Sequence, residues 1–245
     1  MSPRITFAVT ARVLTQLRRD HRTLALMLVL PCVLMTLLWW MFQDLPGDAF
    51  DRLGPGLLAI FPFIVMFLVT SVTTLRERGS GTLERLLAMP MGKLDFLLGY
   101  AVAFGLVALV QAALAVALSV GLLGLQVTGA TWLLALVAVV DAVLGSALGL
   151  FVSAFAQTEF QAVQFMPAIV IPQLLLCGLF VPRPALPDVL KQVSDVLPLS
   201  FAVDAMQTLV GSTQTADVWR DLGVVAAFAL AGLALGAATL RRRTP

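Results

Sequence analysis

Six stretches of this chain are long and apolar enough to cross a hydrocarbon layer about 30 Å thick, which commits it to a bundle of membrane-spanning helices. Five of them, residues 24–42, 55–75, 97–123, 165–181 and 222–240, contain no charged residue. The remaining stretch, 131–155, contains a carboxylate in its middle, Asp141. Only 12% of the residues are charged and 60% are hydrophobic, whereas a soluble domain is about 25% charged. The expected architecture is therefore an all-α polytopic membrane protein forming one domain over residues 1–245.

The polar segments between the spans give the orientation. With both termini cytoplasmic, Arg4, Arg12, Arg18, Arg19, Arg22, Arg76, Arg78, Arg85, Lys93, Arg241, Arg242 and Arg243 fall inside. Arg52, Arg183, Lys191 and Arg220 fall outside. This is the bias that the positive-inside rule requires. The first span follows a basic flank, as the core of a secretory leader would. It is long, however, and no small-residue cleavage site follows, so it reads as a retained span. Before it, Ile5, Val9, Val13 and Leu17 recur every four residues among arginines. That spacing predicts an amphipathic interfacial helix within residues 1–23, lying on anionic lipid.

Residues 76–93, RERGSGTLERLLAMPMGK, form a charged island between the second and third spans. Thr82 is a candidate N-cap, Glu84 lies where a helix dipole favours an anion, and Pro90 stops continuation. Leu83, Leu86 and Leu87 share one face, with Glu84 and Arg85 turned elsewhere. Such a short helix either lies on lipid headgroups or seats its leucines on another protein. Between the fifth and sixth spans, Pro184, Pro187 and Pro198 punctuate apolar-periodic pieces. Two short outer helices are expected there, the first capped by Asp188 and the second following Ser200. Residues 156–164 are expected as an inner loop, and Pro167 and Pro172 as kink points in the fifth span.

Several chemistries are excluded or disfavoured. Gly92 and Lys93 are followed by Leu94, so the phosphate loop GxxxxGK[ST] is absent, and ATP is not bound by that route. One histidine outside the spans, His21, and two isolated cysteines, Cys32 and Cys177, supply neither a nucleophile with its base nor a metal cluster. Asp141 lies about 15 Å into its span and should face protein, water or a proton. It adjoins a small-residue face containing Gly145 and Gly149 at GxxxG spacing, which predicts close helix packing. Gln111, Gln164 and Gln173 are the other polar candidates for a transport path or for helix–helix hydrogen bonds.

The run ERGSGTLERLLAMP, followed by LLGY, resembles the hallmark loop of type-2 ABC exporter permeases of the daunorubicin-resistance type. Glu77, Arg78, Gly81, Thr82, Leu83, Glu84, Leu86, Leu87, Pro90 and Gly99 match that pattern, while Gly79 and Ser80 stand where charged residues are usual. The resemblance implies that this loop is a coupling helix docking on a separate ATP-binding subunit through Glu77, Arg78, Thr82, Leu83, Glu84, Arg85, Leu86, Leu87 and Pro90. A second resemblance lies in residues 178–209, GLFVPRPALPDVLKQVSDVLPLSFAVDAMQTL, which is similar to the family's end-of-span signature. There Gly178, Pro182, Pro187, Pro198 and Phe201 are expected to form an outer gate segment. Ser200, Phe201 and Gln207 depart from the usual threonine, tyrosine and arginine, so no ion pair is carried over.

The implied protein is an exporter subunit of a bacterial cell membrane, not itself an enzyme, moving an amphiphilic drug-like or lipid-like compound. The family's polysaccharide-exporting branch is one alternative, and a proton-coupled carrier centred on Asp141 is the other. Two ATP-binding subunits with ATP and Mg, a second permease, membrane lipid and the cargo are the implied partners. No cofactor is expected on this chain, and no nucleic acid.

Overall fold

The computed structural model describes residues 2–44, 49–79 and 93–239. Among these every regular element is helical. In chain order they are α1 (Pro3–Arg19), α2 (His21–Phe42), α3 (Ala49–Gly79), α4 (Lys93–Gly121), α5 (Thr131–Val152) and α6 (Glu159–Leu176). A 3₁₀ turn (Arg183–Ala185) follows, then α7 (Asp188–Ser194), α8 (Pro198–Gly211) and α9 (Ala216–Ala238). Six of them, α2 to α6 and α9, have the length and hydropathy to cross a membrane. This is the expected all-α membrane fold.

At the centre stands α5, with Leu133, Leu134, Val137, Ala138, Ala142 and Leu144 all buried. Its main partner is α3. A Cβ added at Gly145 would come within 2.4 Å of the Phe63 carbonyl oxygen, and one at Gly149 within 2.4 Å of the Phe67 carbonyl oxygen. Two glycines four residues apart thus sit on two carbonyls four residues apart. The GxxxG spacing is legible here as backbone-to-backbone packing, the use small residues have where lipid removes the hydrophobic drive for association.

The peripheral helices are bound more thinly. Among the residues of α2 only Met27, Pro31 and Met35 are buried, one stripe at i, i+4 and i+8. Leu26, Val29, Val33, Leu37 and Trp40 point outward. In α6 the buried residues are Ala162, Val170 and Gln173. Such apolar outer faces suit helices solvated by hydrocarbon.

Several boundaries differ from the sequence reading. Residues 159–164 belong to α6 and not to a loop, because the Thr158 side chain accepts from the Gln161 N–H and caps the helix. The fifth span accordingly ends earlier, at Leu176, and runs through Pro167 and Pro172. The outer helices exist, but their caps are Pro187 and Leu197; Asp188 and Pro198 occupy the first helical position. Pro198 suits that place because its missing N–H has no intrahelical partner to lose. α3 extends beyond its apolar run at both ends, with Asp51 in its first turn. Charge alone does not end a helix.

The interfacial expectation for α1 also changes in kind. Its stripe of Val9, Val13 and Leu17 is buried in one apolar cluster with Tyr100, Ala103 and Phe104 of α4, where lipid was expected. Phe7 is left exposed on another face.

Candidate functional site

Among the described residues, three places hold the polar groups that bear on function. The first flanks residues 80–92. Glu77, near the end of α3, is 5% exposed, and its Oε1 accepts from Arg12 Nη2 of α1 at 3.1 Å. Arg12 Nη1 also lies 3.5 Å from the Tyr100 hydroxyl on α4. Two residues earlier in α1, the Thr10 hydroxyl lies 2.9 Å from the Thr6 carbonyl and 3.1 Å from the Gly99 carbonyl of α4. At the start of α1, the Ser2 N–H donates to Asp95 Oδ1 at 2.9 Å. A Cβ at Gly99 would lie 2.6 Å from Val9 Cβ, so only glycine lets α1 come this close. Both chain segments that enter and leave residues 80–92 are therefore tied to one helix, α1. Arg76 adds a bidentate pair to Glu159 at the start of α6, at 2.7 and 2.9 Å.

Of the expected coupling residues, Glu77 is placed in this way and Arg78 lies in α3. Thr82, Leu83, Glu84, Arg85, Leu86, Leu87 and Pro90 lie outside the described residues. The Arg12–Glu77 pair was not foreseen. Its only sequence signal is an arginine on the α1 face adjoining the stripe, since sequence spacing says nothing about a partner 65 residues away.

The second place is the bundle interior. Asp141 is fully buried, and neither carboxylate oxygen has a hydrogen-bond partner among the described residues. Gln111, on α4, donates to the Met27 carbonyl of α2 at 2.7 Å, which is a helix–helix bond. Gln173 is also structural in form: its Nε2 donates to the Ile169 carbonyl at 3.2 Å. Its Oε1 accepts from the Leu199 N–H at 3.4 Å, meeting an otherwise orphaned donor in the first turn of α8. Gln164 is exposed.

The third place is the opposite end of the bundle. α7 and α8 meet at a bend of 89°, and α8 turns inward to pack on α3, α5 and α9. Gly178, with φ of +91°, turns the chain after α6. Arg183 then reaches Asp195 beyond α7 and Asp204 on α8, with its guanidinium 5.1 Å from the Phe201 ring centroid. The Ser194 hydroxyl lies 2.8 Å from the Leu176 carbonyl and 3.1 Å from Ser200 Oγ. A cavity of about 480 Å³ opens beside this cluster, lined among others by Asp51, Arg52, Phe180, Pro182 and Gln207. Of the expected gate residues, Gly178 and Pro182 line this cavity and Phe201 faces Arg183, while Pro187 caps α7 and Pro198 begins α8. The sequence reading missed Arg183, which it counted only as an outer charge.

With this arrangement in view, comparison with known proteins is decisive for the family. The family model for ABC-2 type transporters matches residues 4–210. The chain belongs to that family. It is thus a type-2 ABC permease, a multi-pass transmembrane protein. It is similar to the probable multidrug ABC transporter permease YbhR of Escherichia coli, 27% identical over 169 residues, covering 69% of this chain and 46% of that protein. The inner membrane transport permease YhhJ of the same species is 27% identical over 158 residues, covering 63% and 42%. ABC transporter G family member 20 of Dictyostelium discoideum is 27% identical over 166 residues, covering 67% and 23%. The aligned part of this permease spans less than half the length of each of these relatives.

Proposed function

We propose that this permease is the membrane half of an ATP-driven exporter. Two copies of a separate ATP-binding subunit hydrolyse ATP with Mg, and a second permease, identical or homologous, faces this one to complete the path. The cargo is an amphiphilic drug-like or lipid-like compound moved outward across a bacterial cell membrane, with both termini cytoplasmic. The name of the relative YbhR, a probable multidrug permease, supports this cargo class over the others.

The observation that carries the reading is the family match over residues 4–210, which includes α1 and both flanks of residues 80–92. The geometry supports it. A push on residues 80–92 reaches α3 through Glu77 and α4 through Asp95 and Gly99, and α1 makes the two flanks move together. From Glu77 to Pro55, α3 is a rod of about 33 Å at 1.5 Å per residue, and Pro55 lines the cavity at its other end. Because Gly145 and Gly149 leave no slack against its backbone, α3 carries α5 with it. Packed elements of this kind shift between discrete arrangements and do not deform continuously.

The test is co-purification. The permease, tagged and co-expressed with its ATP-binding subunit, is compared with the double variant Glu84→Lys, Leu87→Asp. Retention of the ATPase by wild type and its loss from a correctly inserted variant is the expected result. Failure of wild type to retain it, or no effect of the two changes, overturns the exporter reading.

A further inference from the structure

The cluster at the far end is built around one side chain. The Arg183 side chain is 12% exposed although both its carboxylate partners reach solvent, Asp195 at 52% and Asp204 at 33%. One guanidinium joins three pieces of chain: the 3₁₀ turn that carries it, the end of α7, and α8. Phe201 of α8 packs against its face, and Gly178 makes room for its stem, a Cβ there lying 3.2 Å from Arg183 Cγ. Asp217, Arg220 and Asp221, at the start of α9, are the neighbouring charges and pair among themselves. Arg183 is therefore the cation that bridges the 3₁₀ turn, α7 and α8 among the described residues.

Beneath this bridge the chain is sealed. Cys177, the residue after α6, is fully buried and belongs to the same apolar cluster as Leu199 and Ala202 of α8. The neighbouring Leu176 carbonyl accepts from Ser194 of α7. For the end of α6 to open toward the adjoining cavity, α7 and α8 must separate from it. Arg183, carried by the turn that follows α6, cannot keep its grip on Asp195 and Asp204 if those helices move away from that turn.

We propose that Arg183 is the latch of the outer segment: its two-carboxylate bridge holds α7 and α8 over the end of α6, and its release is a step in opening the permease outward. This rests on the exporter reading for the word outward, but the latch itself is a property of the chain. A planar fork that engages two carboxylates at once is a task for arginine; lysine presents a point charge.

Cys177 is a built-in reporter. In a Cys32→Ser background the permease, purified with its ATP-binding subunit, is treated with a maleimide and the rate of Cys177 labelling is measured. Wild type should be protected. Arg183→Met should label faster by about tenfold or more, the factor set by losing at least one hydrogen bond to a charged group. Asp195→Asn and Asp204→Asn, each cutting one arm, should fall between, as should Arg183→Lys. Gln192→Ala, on exposed α7 surface, should match wild type. Unchanged protection in an Arg183→Met complex that still elutes as one species overturns the latch, as does equal acceleration by Gln192→Ala. If Arg183→Met does not fold, the two asparagine variants decide: protection equal to wild type in both overturns it. Loss of the latch with the ATPase still co-purifying leaves the exporter reading intact, whereas a permease that never binds the ATPase fails that reading while Cys177 labelling still tests the latch.

Discussion

α3 is held differently along its middle and at its loop-proximal end. In the middle, the Phe63 and Phe67 carbonyls lie directly under Gly145 and Gly149 of α5, with no side chain between. At the end, Glu77 is held by polar side chains of α1, among them Arg12, itself 32% exposed to solvent, and Arg76 pairs with Glu159, both more than half exposed. Backbone contact tolerates no adjustment, since a close-packed interior has no space into which to relax. Side-chain pairs at a wet surface can break and re-form. Under the exporter function proposed above, α3 would move as a unit and receive force at one end, and this division suits that task, with a rigid seam where motion is shared and exchangeable ties where it is delivered.

The largest expected effect therefore comes from the seam. Gly145→Leu places a side chain where even a Cβ comes within 2.4 Å of a carbonyl. It should cost more than about 4 kcal/mol, in the overpacking class of severe substitutions. Thermal unfolding in detergent should show collapse of the folded fraction; a variant within a few degrees of wild type would mean that α3 and α5 can separate, and the rigid half of the comparison fails. Next comes Arg12→Met, which removes the cation beside a nearly buried Glu77. The expected loss is about 1–3 kcal/mol, and Glu77→Gln should restore part of it, because a neutral amide needs no cation. ATPase turnover of the complex should fall more than stability does if α1 ties the two loop flanks together.

Smaller again is the joint between α1 and α2. The Thr23 hydroxyl and N–H both donate to Asp20, at 2.6 and 3.1 Å, capping α2 and holding this carboxyl below its usual range. A carboxylate whose folded value lies below the ordinary 3.8 stabilises the fold above that value, and loses the contribution as pH falls through the lower one. Asp20→Ala should cost about 1 kcal/mol at neutral pH and show no such acid-dependent loss. Asp20→Asn, which keeps the cap without the charge, should flatten the pH dependence while keeping most of the stability. Denaturation followed between neutral pH and pH values below 3.8 separates the three.

Much of this architecture was written in the sequence. Hydropathy places the six spans because lipid leaves backbone groups no partner outside the helix. The Gly145 and Gly149 seam was legible from spacing alone, as was the stripe of Val9, Val13 and Leu17. What covers that stripe was not: lipid and the face of α4 are equally apolar, and only Gly99 distinguishes them by allowing contact. The helix boundaries at Glu159 and Pro198 shifted because helices continue past the end of their apolar residues when a cap such as Thr158 or an N1 proline permits. Arg12 and Arg183 were invisible as ties because their partners are fixed by three-dimensional packing. Arg183 in particular reaches partners 12 and 21 residues farther along the chain, across two helices whose 89° bend no periodicity records.

The finest test of the comparison is Arg76–Glu159. Its two hydrogen bonds run in parallel, Nε to Oε1 at 2.7 Å and Nη2 to Oε2 at 2.9 Å, the geometry in which an exposed pair is most effective. Its exposure, 58% and 51% for the two side chains, argues the other way. Water screening should dominate, so a double-mutant cycle with Arg76→Gln and Glu159→Gln should give a coupling below about 1 kcal/mol. That coupling should shrink further as salt rises, because surface pairs are screened over about 10 Å at 0.1 M. A salt-insensitive coupling of several kcal/mol would instead make the junction of α3 and α6 as rigid as the α5 seam. Force entering at Glu77 would then reach α6 directly, and α6, so thinly packed elsewhere, would be a driven helix and not a passive one.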